Sequence, residues 1–234
     1  TLATLSSGGS AGKEGPIAQI GAGIGSGLGR FLKMGARARR TMMVAGAAGG
    51  LGAIFRAPLG GALTAVEVLY KEDIETDALT PAIISSVTAY TLFSAVNGFD
   101  HVFAYNAEAF SEPAQLIFYA ALGLLCSAAG YVYVRFLHGS KRVFFDRLPI
   151  NKYLIPPIGG LLVGLVGLAY PQAMGQGFGY VQQLILHQPI GGIETGVRVL
   201  ATLALLKIVT TSFTISSGGS GGVFAPSLFI GAML

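Results

Sequence analysis

Glu14 stands in a run of small and conformationally special residues, Gly12-Lys13-Glu14-Gly15-Pro16. A carboxylate in that setting can take up and release a proton. It can also stand in for a small anion in a site made of backbone N–H groups. The setting recurs: residues 6–22 lie without gaps on residues 216–232, at an offset of 210. Ten of these 17 positions are identical: Ser6, Ser7, Gly8, Gly9, Ser10, Gly12, Pro16, Ile20, Gly21 and Ala22 match their partners. A match this dense marks an internal structural repeat. In the second copy the place of Glu14 is taken by Phe224, within Gly222-Val223-Phe224-Ala225-Pro226.

Each copy predicts a Ser/Gly loop, a proline at the start of a helix, and then an apolar helix. The first amides of a helix have no carbonyl partner within it and carry a partial positive charge. Such an end binds anions. Two of them, facing one another at membrane depth, form an anion site with no fixed positive side chain. Partial charges hold a monovalent anion weakly enough for it to leave. Matched segments interrupted by Gly and Pro in two halves of a chain are the expected mark of a transporter's binding site. The backbone of Gly12, Lys13, Gly15, Val223, Phe224 and Ala225 supplies the candidate anion contacts. Glu14 has two readings. One is a helix-start carboxylate stabilised by the dipole. The other is a tethered anion mimic that fills the site until protonation releases it.

The elements that position these loops are strongly apolar. Charged residues make up 11% of the 234, against hydrophobic residues at 52% and a further 35 glycines. An ordinary soluble domain carries about 25% charge, and 15 basic plus 11 acidic residues are too few to cover one. Apolar runs cover 16–33, 41–56, 59–70, 80–97, 114–138, 153–174, 195–215 and 223–234. A full span needs about 20 apolar residues, which 114–138 and 195–215 supply, whereas 59–70 is too short to cross upright. Short, broken helices at membrane depth survive only buried in protein or beside a cavity. The expected architecture is therefore an all-α integral membrane protein that conducts or carries something.

Other chemistries find no support. Cys126 is the single cysteine, and His101, His138 and His187 fit no metal-ligand spacing. The sequence shows no nucleophile with a base and no cofactor fingerprint, since Gly21, Gly23, Gly25 and Gly27 never complete G-x-G-x-x-G after a strand. No enzyme, metal or cofactor is expected. The net charge of +4 does not form a nucleic-acid stripe. Basic residues instead cluster in loops at Arg30, Lys33, Arg37, Arg39 and Arg40, at Lys71, and at Arg135, Lys141, Arg142, Arg147 and Lys152. Residues 97–113 and 171–193 hold no Lys or Arg. If segments alternate in direction, the basic loops share one face, which the positive-inside rule places in the cytoplasm. Gly21, Gly25 and Gly29 form one small-residue stripe, repeated by Gly46 and Gly50 with Ala48 and Gly52, that lets another helix approach closely.

Gly12-Lys13-Glu14-Gly15-Pro16 resembles the G-[KR]-E-G-P signature of the CLC family of chloride channels and chloride/proton antiporters. Gly222-Val223-Phe224-Ala225-Pro226 resembles the family's G-x-F-x-P. Gly46 to Leu51, Ala57-Pro58-Leu59-Gly60-Gly61 and Glu67 are similar to the family pattern between them. The resemblance covers essentially the whole chain. It implies two inverted membrane repeats with short, broken and tilted helices, in a homodimer with one pore per subunit, surrounded by lipid. On it, residues 1–112 are the latter part of the first repeat and 113–234 the first part of the second. It implies chloride as the transported ligand and Glu14 as the gate. The serine-bearing G-S-G-[IL]-P segment and the pore-closing tyrosine of the family would lie before Thr1 and after Leu234, as in an excerpt of a longer protein.

Proton-coupled members carry an inner glutamate just after the residue matching Glu67, and here that position is Val68. This favours passive chloride conduction. The chloride/proton antiporter of the same family and another membrane carrier are the alternatives. Glu67 itself reads as a buried structural carboxylate that needs a partner.

Overall fold

The computed structural model describes residues 1–69, 76–105 and 112–234. Lys71, the acidic stretch after it and part of the loop 97–113 lie outside the described residues. In chain order the helices are α1 (Leu2–Ser6), α2 (Glu14–Phe31), α3 (Ala36–Phe55), α4 (Pro58–Leu69), α5 (Thr76–Asn97), α6 (Gln115–Gly139), α7 (Ile155–Ala169), α8 (Phe178–Ile185), α9 (Val197–Ser216) and α10 (Phe224–Met233). Among the described residues there is no sheet, only isolated bridges at Gly12–Gly222 and Ile190–Ile193. The architecture is the expected all-α one, and the helices lie close to the apolar runs. Two elements were not anticipated, α1 and α8, both too short to show a period. The chain forms two compact units, Glu14–Phe103 and Thr1–Lys13 with Ala104–Leu234.

In the unit Glu14–Phe103, α3 is the central helix and packs against α2, α4 and α5. It can do so because small residues surround its axis. A Cβ at Gly21 of α2 would run into the Gly46 carbonyl, and one at Gly25 into the Met42 carbonyl. A Cβ at Gly50 would come within 2.8 Å of the Ile17 carbonyl oxygen. The glycine stripes thus meet each other, backbone to backbone. On the opposite face of α3, Val44, Ala47, Ala48 and Leu51 join Ala62, Ala65 and Val66 of α4 and Ala78 and Ala82 of α5 in one buried cluster. Ser86 donates to the Pro58 carbonyl at 2.6 Å, fixing the start of α4 on α5. α3 ends at Arg56, in a left-handed conformation with φ of 51°. Its guanidinium donates to the carbonyls of Asp100 and Asn97.

In the other unit α9 is central, against α6, α7 and α10. Gly159 of α7 admits the Ser217 side chain, since a Cβ there would overlap it. After α6 the chain tightens through a π turn (Ser140–Phe144) into a 3-10 turn (Phe145–Arg147). This bend drives Phe145 into the core at 1% exposure, edge-on to Phe213 at 6.1 Å. Ser216 donates to the Leu137 carbonyl at 2.8 Å, tying α9 to α6.

Among the described residues, four helical segments are long and apolar enough to cross a membrane: Asp77–Asn97, Gln115–Arg147, Lys152–Ala169 and Val197–Ser216. Two of these, Gln115–Arg147 and Val197–Ser216, match the spans expected from sequence; the other two fall on the apolar runs 80–97 and 153–174, where no full span was expected. On α6, Ile117, Phe118, Leu124 and Tyr131 are all exposed. A row of large exposed apolar side chains suits hydrocarbon rather than water. α4 has 12 residues, short for a crossing, as its sequence implied.

Candidate functional site

The two Ser/Gly loops are joined in one unit. Gly12 N–H donates to the Gly222 carbonyl at 2.6 Å and Gly222 N–H donates to the Gly12 carbonyl at 2.7 Å. A reciprocal, antiparallel pair of this kind has a local two-fold axis, and the axis extends well beyond it. Ser10 N–H donates to Thr214 Oγ1 at 3.0 Å, while Ser220 N–H donates to Thr4 Oγ1 at 3.2 Å. The Ser10 and Thr211 hydroxyls share a hydrogen bond at 2.8 Å, as do those of Ser220 and Thr1. Each bond becomes the other when 210 is added to or subtracted from its residue numbers. Four threonines therefore clasp the loop of the opposite copy.

Local folding of the loops obeys the same symmetry. Gly9 N–H closes on the Thr4 carbonyl and Gly219 N–H on the Thr214 carbonyl, both at 2.9 Å. Gly8 and Gly218 take φ of +87° and +102°, which a side chain would resist. α1 thus corresponds to the last turn of α9, and each helix end hands the chain to a glycine that reverses it. One difference between the copies has a direct cause. Ala11 and Gly221 meet across the axis, where a Cβ on Gly221 would overlap that of Ala11. Only one of the two positions can carry a methyl group.

Two residues beyond the bridge in each copy comes the helix start. Glu14 is the first residue of α2 and only 2% exposed. Phe224 is the first residue of α10 and is 46% exposed. Pro16 and Pro226 fall in the first turns, where their missing N–H groups cost nothing. Gly12 and Ala225 are buried, Lys13 is half-buried, and Gly15 and Val223 are exposed. Among the described residues Lys13 makes no ion pair, the charged pair being Arg37–Asp77.

A cavity of about 230 Å³ straddles the pseudo-axis, lined by Thr4, Ser7 and Gly9 and by their counterparts Thr214, Ser217 and Gly219. It is a poor anion site. The hydroxyl protons of Ser7, Ser217 and Thr214 already go to the carbonyls of Thr4, Thr214 and Thr210. The amides of the helix starts carry the partial positive charge instead.

The reading of Glu67 needs correction. It was expected to be a buried carboxylate, but it is exposed on α4, as is its neighbour Val68 at 70%. The helical turn places both on the face away from α3, where Ala65 and Val66 are buried. Sequence reasoning also missed the four threonines. Carrying the repeat five residues upstream would have found them, since Thr1 and Thr4 have the same offset to Thr211 and Thr214. Lys207 was missed too, although it is the sole charge in residues 199–234. A lone charge in an apolar span is a functional signal in its own right.

Comparison with known proteins agrees with this geometry. Residues 1–234 match the model of the family described as voltage gated chloride channel. An uncharacterized protein of Methanocaldococcus jannaschii is 34% identical over 99% of this chain and 56% of its own length. The H(+)/Cl(-) exchange transporter ClcA of Cronobacter sakazakii is 33% identical over 100% of this chain and 50% of its own length. The crystal structure of a slow cyanobacterial Cl-/H+ antiporter superposes with a TM-score of 0.81 at 28% identity, covering 97% of this chain and 52% of that one. The chain spans about half the length of these relatives. From the paired Ser/Gly loops, the apolar spans and the end-to-end match together, it follows that this chain belongs to the voltage gated chloride channel family, CLC, a family of membrane transport proteins rather than enzymes.

Proposed function

We propose that this chain is the central part of a protein that moves chloride across a membrane. The anion is held mainly by the backbone at Gly12, Lys13, Gly15, Val223, Phe224 and Ala225, and Glu14 is the gate. The single observation behind this reading is the reciprocal Gly12–Gly222 pair. It joins the two loops that lead, two residues further along the chain in each copy, into Glu14 and Phe224. Each of these helices has the positive end of its dipole at that start. Glu14 is the one carboxylate among the candidate positions, and an ionised carboxylate competes with chloride for amides. Protonation as pH falls removes that competition. Flux therefore rises on acidification.

Residues 1–112 and 113–234 form the inner parts of two inverted repeats, and the whole protein is a homodimer with one pore per subunit. The basic loops 30–40 and 135–152 face the cytoplasm and the membrane is that of the cell. No cofactor, metal or nucleic acid takes part. Lipid surrounds the exposed apolar helices.

Exchange of chloride for protons has support equal to passive conduction. Val68 in place of an inner glutamate favours conduction, while the Cronobacter relative and the cyanobacterial structure are named as exchangers. The tests separate the two. In proteoliposomes of the full-length protein, Glu14→Gln gives fast chloride flux that no longer rises as pH falls. Wild-type flux and wild-type pH response in that variant would falsify the gate. A wild-type reversal potential that shifts with an imposed pH gradient assigns exchange, and one that follows chloride alone assigns conduction.

A further inference from the structure

Lys207 is fully buried in the middle of α9, with 0% exposure. Its Nζ donates to three backbone carbonyls of one turn, those of Ala173 at 3.3 Å, Met174 at 3.1 Å and Gly175 at 2.7 Å. A neutral amine has two donors and a lone pair, whereas an ammonium has three donors. Three converging acceptors match the three donors of an ammonium. The ring of Phe229, on α10, lies over the same nitrogen at 4.9 Å and adds a cation–π contact. Among the described residues no carboxylate pairs with it. An ion buried without a counter-ion is costly even after relaxation, so its presence calls for a return.

Two connections lead from this ammonium to the Ser/Gly loops. The turn it holds is anchored a second time, by Thr210 Oγ1 donating to the Ala173 carbonyl at 2.9 Å. Gly175 N–H then donates to the Gly8 carbonyl at 3.2 Å, in the first Ser/Gly loop. Through Phe229 the charge also sits against α10, five residues beyond Phe224, which is roughly 8 Å along the helix axis. We propose that Lys207 is a positioning residue for the anion site: its ammonium clamps the 173–175 turn that supports the first Ser/Gly loop, and its unneutralised charge raises anion affinity at the start of α10. This rests on the chloride reading above and adds to it a fixed positive charge within α9.

The test uses the intact protein, purified in detergent, with chloride binding measured by calorimetry and folding by size-exclusion profile. Lys207→Arg keeps the charge and the donors. Lys207→Gln and Lys207→Met remove the charge. A unit charge at about 10 Å through a protein-like medium weakens binding on the order of tenfold when lost. The expected result is tenfold weaker binding in the folded neutral variants and affinity within about twofold of wild type in the Arg variant. Wild-type affinity in either neutral variant overturns the proposal, and so does a tenfold loss in the Arg variant. Should both neutral variants misfold, the Arg variant decides by the same two limits. Wild-type protein that binds no chloride at all refutes the functional reading together with this proposal. Wild-type binding that survives neutralisation refutes this proposal alone.

Discussion

Replacing Thr214 by Val keeps the shape of the side chain and deletes the hydroxyl that receives Ser10 N–H. Ser10 has 0% exposure, so its amide loses its partner where water does not reach it. A buried unsatisfied donor costs about 1–3 kcal/mol. The symmetry-related change, Thr4→Val, deletes the acceptor of Ser220 N–H, but Ser220 is exposed and the bond is longer, at 3.2 Å. Water can replace that acceptor, so the cost falls to about 0.5 kcal/mol or less. Two chemically identical substitutions at equivalent places in the repeat thus differ several-fold in effect. Apparent Tm values of the full-length protein in one detergent, by intrinsic fluorescence, compare them directly. The Thr214→Val shift should exceed the Thr4→Val shift by at least about twofold. Equal shifts, or a larger one for Thr4→Val, would refute the argument that burial on one side of the pseudo-axis sets the strength of the clasp.

The glycine stripe of α2 gives a second contrast. Gly21→Ala drives a methyl group into the Gly46 carbonyl and should cost about 1–3 kcal/mol. Gly23→Ala meets nothing within 4 Å and should be neutral or stabilising by up to about 1 kcal/mol, checked by the same Tm assay. The Arg37–Asp77 pair is short at 2.6 Å but exposed at 78% and 65%, so Arg37→Ala should change stability by no more than about 1 kcal/mol, and less at high salt. For the gate, Glu14→Gln should abolish the rise of chloride flux on acidification, while Glu14→Asp, which keeps a titrating carboxylate, should retain a pH response in the same liposome assay.

Much of this protein was legible before any coordinates. Apolar runs locate helices because a backbone in hydrocarbon must satisfy itself within one segment, and this fixed α2 to α7, α9 and α10 closely. The repeat could be read at its glycines and prolines, where backbone geometry admits few other residues. Tertiary structure was needed for whatever depends on which faces meet. Thr4 and Thr214 look like ordinary helix-face threonines until two loops 210 residues apart are paired, and then they become acceptors for each other's copy. Glu67 looks buried by its apolar neighbours and is exposed, because the helical turn alternates faces within one short element. Lys207 is a single charge on a line of apolar letters, and only packing assembles the three carbonyls around it. Sequence specifies what each segment can satisfy by itself; partners supplied from distant segments exist only once the chain has closed on itself.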